Sequence, residues 1–64
     1  MERLNWRSLN AIINDKTEEE VLELLNHERQ TERRISMLQR LHQRYTILRA
    51  ARERVEIIKE AIRP

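Results

Sequence analysis

Residues 32–62 read ERRISMLQRLHQRYTILRAARERVEIIKEAI, and this half of the chain decides the fold. Apolar side chains recur at Ile35, Leu38, Leu41, Tyr45, Leu48, Ala51, Val55, Ile58 and Ile62. Every step is three or four residues and the mean falls slightly below 3.5. A straight helix would let such a stripe drift around its surface, whereas a left-handed supercoil holds it against a neighbour. The spacing predicts one long, coiled-coil-like helix over about residues 32–62, roughly 46 Å at 1.5 Å per residue.

Upstream, the chain offers two shorter helices. Trp6, Leu9, Ile12 and Ile13 fall at helical spacing behind Asn5, whose side chain can cap the first amides, which predicts a helix over about 6–13 with Trp6 as a core anchor. Asn14-Asp15-Lys16 makes a polar turn. Thr17-Glu18-Glu19-Glu20 then has the spacing of a capping box, with three carboxylates at the positive end of the helix dipole. The helix that starts there carries Val21, Leu22, Leu24 and Leu25, but Asn26 through Arg34 contains no apolar residue. About two and a half turns without one predicts a helix over about 18–26 and a break near residues 27–31, with Thr31 as the next cap. An uninterrupted helix from Glu18 to Ile62 is the alternative left open by the lack of interior glycine or proline.

The expected architecture is therefore a single all-α domain over residues 1–64, with two short N-terminal helices and one long C-terminal helix. The short helices, at about 12 and 15 Å, cannot cover the long one. Its uncovered end, with Val55, Ile57, Ile58, Ala61 and Ile62, calls for a partner, and a second copy is the economical one. The expectation is a helical bundle completed by oligomerisation, a dimer or higher, with Leu38, Leu41, Tyr45, Leu48, Val55, Ile58 and Ile62 at the oligomer interface.

Composition agrees with a need for partners. Only 64 residues, with no glycine and no cysteine, give one small core and no disulfide or thiolate metal site. Chains of this size rarely gain more than about 3–5 kcal/mol from a core alone. The missing glycine excludes phosphate-cradling loops of the Walker and dinucleotide-binding types. No run reaches the roughly 18 apolar residues of a membrane span, and no signal-peptide pattern opens the sequence, so a cytoplasmic protein is expected.

The net charge of +2 hides a segregation. Residues 1–28 carry three basic and seven acidic side chains (3 − 7 = −4), and residues 29–54 carry eight and two (8 − 2 = +6). Arginine outnumbers lysine eleven to two, which favours bidentate recognition of carboxylate or phosphate. On one continuous helix Arg33, Arg40 and Arg44 share a strip nearly opposite Leu38 and Tyr45. The favoured reading pairs the arginines with Glu18, Glu19, Glu20 and Glu23 of the second helix. An acidic protein partner is a further reading, and so is nucleic acid, with Arg33, Arg34, Arg40 and Arg44 on phosphates.

No catalytic constellation stands out. His27 follows Glu23 by four residues, but two ligands make no metal site; His42 reads as a residue at the seam's edge and Tyr45 as a member of it. No cofactor is expected. The function expected is a non-enzymatic, self-associating helical regulator or adaptor acting through protein–protein contacts, with nucleic-acid binding through the arginine-rich face as the alternative.

Overall fold

The computed structural model describes residues 4–62 and is all-helical: α1 spans Trp6–Ile12, a single 3-10 turn spans Ile13–Asp15, α2 spans Glu18–Gln30 and α3 spans Ile35–Ile62. The caps fall where local chemistry requires them. The Asn5 carboxamide oxygen accepts the Ser8 amide at 2.8 Å and opens α1. At α2 the Thr17 hydroxyl accepts the Glu20 amide at 3.2 Å while the Glu20 carboxylate accepts the Thr17 amide at 2.9 Å. That pair of bonds satisfies two amides which a helix start otherwise leaves open. The Thr17 amide also holds the Glu20 carboxyl below its ordinary range.

A break separates α2 from α3, but it lies at residues 31–34, four residues later than expected. The polar run that suggested an earlier end contains Glu28, which is 5% exposed and continues the buried series Val21, Leu25, Glu28. The stripe does not lapse; a carboxylate carries its last turn. Past Gln30 the open carbonyls of α2 are met from within the chain. The Thr31 amide and hydroxyl donate to the His27 carbonyl, the Arg33 amide donates to the Glu28 carbonyl, and Arg33 Nε donates to the Arg29 carbonyl. Arg33 takes φ +52°, the left-handed region in which glycine usually ends a helix. Adopting it costs an arginine roughly 1 kcal/mol.

Contacts fix the course of the elements. Arg34 reaches Leu4, Arg40 reaches Asn10 and Arg44 reaches Asn14, each across thirty positions, so the α1 segment runs parallel to the first part of α3. Glu28 meets Arg34 and Glu18 meets Arg52, so α2 runs antiparallel to α3. The core between them is Leu9, Ile13, Val21, Leu25, Met37 and Leu41, with Leu4, Leu24, Leu38, Tyr45 and Leu48 packed partly buried around it.

Two expected core residues stand outside. Ile35 is 73% exposed, because the first turn of α3 turns Met37 inward instead. Trp6 is 52% exposed: Leu9 and Ile13 anchor the first segment, while the indole lies beside Ser36, Gln39, Arg40 and Gln43 at the wet edge of α3. The molecule measures 49 × 21 × 19 Å, and its long axis is set by α3 running past its neighbours. Among the described residues no helix is long and apolar enough to cross a membrane.

Candidate functional site

The geometry of α3 divides it in two. With Met37 in place of Ile35, the positions in line with the buried Met37 and Leu41 are Arg44, Leu48, Ala51, Val55, Ile58 and Ile62, an unbroken alternation of four- and three-residue steps from Met37 on. The steps have the spacing of a heptad, with an arginine, Arg44, at one of its places. Up to Leu48 the seam is covered by α1, the 3-10 turn and α2. From Ala51 on, next to Arg52, whose ion pair with Glu18 joins α3 to α2, none of the described residues outside α3 covers it.

The expected oligomer interface is divided by this boundary. Leu41 is buried in the chain's own core, and Leu38, Tyr45 and Leu48 pack against that core. Val55, Ile58 and Ile62 remain 51%, 50% and 75% exposed, and Ile57 in the same stretch is exposed too. The only candidates still facing water as a set are those of the last three turns.

The arginines expected to form one outward strip do not all share a surface, and those that do face the chain itself. Arg33 lies in the turn before α3 begins, so it has no place on a helix face. Arg34 is turned to Glu28: its Nη2 stands 2.8 Å from Oε1 and its Nε 3.0 Å from Oε2, its own amide donates to Oε2 at 2.9 Å, and its Nη1 donates to the Leu4 carbonyl. Those donors hold the Glu28 carboxyl below its ordinary range, the guanidinium being the main cause. Arg40 Nε donates to Asn10 Oδ1 at 2.9 Å. Arg44 Nη2 reaches the Asn14 carbonyl at 3.4 Å, and its Nε is buried without an acceptor. Of the second helix's glutamates, Glu18 pairs with Arg52 at 2.9 Å, and Arg52 also holds Glu56 at 3.1 Å; the two carboxylates raise the guanidinium pKa further.

The unsatisfied Nε gives a direct expectation. Arg44→Leu removes a donor that lost its water on folding and fills the same heptad position with apolar atoms, so thermal unfolding should show a gain of about 1 kcal/mol. A loss of that size would mean that the guanidinium, not the stem, carries the contact with the 3-10 turn.

Among the described residues no group of three or more His, Cys, Asp or Glu side chains could hold a metal ion, and both His27 and His42 are exposed. The depression lined by Trp6, Ser36, Gln39, Arg40 and Gln43 is shallow and open. It pairs no nucleophile with a base. No family model matches the chain, and neither a curated protein nor a solved structure shows significant similarity to it.

Proposed function

We propose that this chain is a non-enzymatic helical interaction module that associates with a second copy through the uncovered half of α3 and acts as a small regulator or adaptor through protein–protein contacts. The observation that carries this reading is the continuity of the seam. The heptad that forms the chain's own core as Met37 and Leu41 continues without change of register into Ala51, Val55, Ile58 and Ile62, where no element among the described residues covers it. Apolar seams of this kind gain stability only against another helix. The same stripe on a second copy is self-complementary by symmetry.

The test is sedimentation of the whole chain against concentration. An associated species should grow in, and Ile58→Asp should raise its dissociation constant at least about tenfold by burying a carboxylate in the seam. The variant should keep the helical content of the monomer, because Ile58 is outside the core. A chain that stays monomeric to about 1 mM, where an association free energy of only about −4 kcal/mol would register, would exclude the proposal. We place nucleic-acid binding second, because Arg34, Arg40 and Arg44 make hydrogen bonds within the chain and Arg33 lies in the turn before α3.

A further inference from the structure

We infer that the two copies meet antiparallel over residues 51–62, with Ala51 opposite the partner's Ile62 and Val55 opposite the partner's Ile58; this rests on the self-association proposed above. Two independent features of the fold point to it.

The first is where α1 lies. Arg40 of α3 bonds Asn10 of α1 and Arg44 bonds Asn14 of the 3-10 turn that follows it, and on the helix these two arginines project in the same direction as Ala51, Ile58 and Ile62 further along. The α1 segment and the uncovered stripe are therefore successive occupants of one side of α3. In a parallel pair both copies of α1 would stand between the two α3 helices along residues 34–44. Packed helices need axes about 8–10 Å apart, and two intervening helices cannot fit in that gap. Turning one copy around removes the conflict. Each tail then lies end to end with the other copy's α1, beyond Asp15, and the two bodies sit at opposite ends. The matched stretch is twelve residues, roughly 18 Å. All four uncovered seam positions are used, a small residue facing a large one at each end.

The second feature is charge. Arg52 holds both Glu18 and Glu56, so the cluster on that rim carries one net negative charge. Lys59, two turns further along the same rim, has no ion pair among the described residues. Antiparallel pairing sets equivalent rims against each other, which brings the partner's Lys59 level with Arg52 and its two carboxylates. Each interface then holds two such four-charge clusters, both neutral. On the opposite rim Arg54 faces the partner's Ala61. Parallel pairing sets unlike rims together and places Arg54 beside the partner's Lys59, two cations with no carboxylate between them.

The absence of cysteine makes the orientation measurable with single introduced thiols. An Ala51→Cys chain and a mass-tagged Ile62→Cys chain are mixed at the concentration where sedimentation shows the associated species, then oxidised in a glutathione buffer. The expected product is the mixed disulfide, with little Ile62→Cys homodimer. Predominant Ile62→Cys homodimer would mean a parallel pair and overturn the inference while leaving self-association intact. Loss of association in the unmodified chain would instead remove the reading beneath it. Lys59→Glu supplies a second readout without touching the seam: the dissociation constant should rise about tenfold at low salt and converge on the parent value at high salt. An unchanged constant at low salt overturns the charge register.

Discussion

Replacing Leu41 with alanine is expected to leave the isolated chain without a cooperative unfolding transition at 25 °C. Leu41 is 2% exposed and sits where the α1 segment, α2 and α3 converge. Truncating a leucine at such a position removes its transfer free energy and leaves a cavity that neighbours only partly fill, for a loss of roughly 3 kcal/mol. In most proteins that is a fraction of the total. Here the buried apolar set comprises six of the described residues, and a chain of this size rarely has more than about 3–5 kcal/mol in hand. The control lies on the same seam two heptads later. Val55→Ala removes a side chain that is half exposed in the single chain, so dilute samples should lose no more than about 0.5 kcal/mol. Urea titrations followed by circular dichroism, at concentrations below association, measure both. A Leu41→Ala chain that unfolds with nearly the parent midpoint would show that stability is not centred on this three-way contact.

The contrast between Leu41 and Val55 also shows which parts of the molecule were legible in the sequence. Features set by neighbours within one helical turn were readable: the Asn5 cap, the Thr17–Glu20 capping box, the long last helix, and a break after the second helix. The misplaced details share one cause. A search for apolar periodicity passes over charged residues that fold inward, and this chain buries Glu28 and turns Arg34 and Arg44 toward its core side. Apolar spacing alone starts the stripe of the last helix at Ile35, which is 73% exposed, and skips the buried Met37. With Arg44 as a member, the steps from Met37 on alternate strictly. A signal for Glu28 did exist, since it follows Val21 and Leu25 at seven and three residues, the spacing of one helix face. What no local pattern carries is the partner of that carboxylate, because the pairing depends on a turn that returns Arg34 to it. The exposure of Val55, Ile58 and Ile62 at the free end follows from the apolar spacing outrunning the short helices, whereas in the first half Leu41 is buried by the chain itself.

Glu28→Ala is expected to destabilise the chain by about 2–3 kcal/mol although it removes no apolar residue. The carboxylate accepts the Arg34 amide, Nε and Nη2, and the same guanidinium donates to the Leu4 carbonyl, so one pair closes the α2–α3 turn and ties down the start of the α1 segment. Truncation strands those donors. The cost falls below that of a fully buried pair because the Arg34 side chain keeps 25% of its surface in water. Three variants separate the contributions. Glu28→Gln keeps the size and one acceptor while removing the charge, so it should lose less than Glu28→Ala. Arg34→Met should lose heavily, since it leaves a carboxylate buried alone. Glu28→Met combined with Arg34→Met should recover much of the loss, because it replaces two costly charges with apolar stems. The pair also fixes an acid dependence. Its folded pKa lies below the ordinary carboxyl value of 4.5, so the stabilisation is fully present above about pH 4.5 and is lost as pH falls through the folded value. Glu28→Gln should flatten the acid limb of the stability curve in that interval. A variant with the parent's acid limb would place the dependence on Glu20 or Glu53, whose carboxyls are also held low, by the Thr17 amide and by Arg49. Those two carboxylates are exposed and each bonds only within its own helix or cap. Glu28 alone of the three joins two elements, so its protonation should open the turn and release α1 together, as a single cooperative loss.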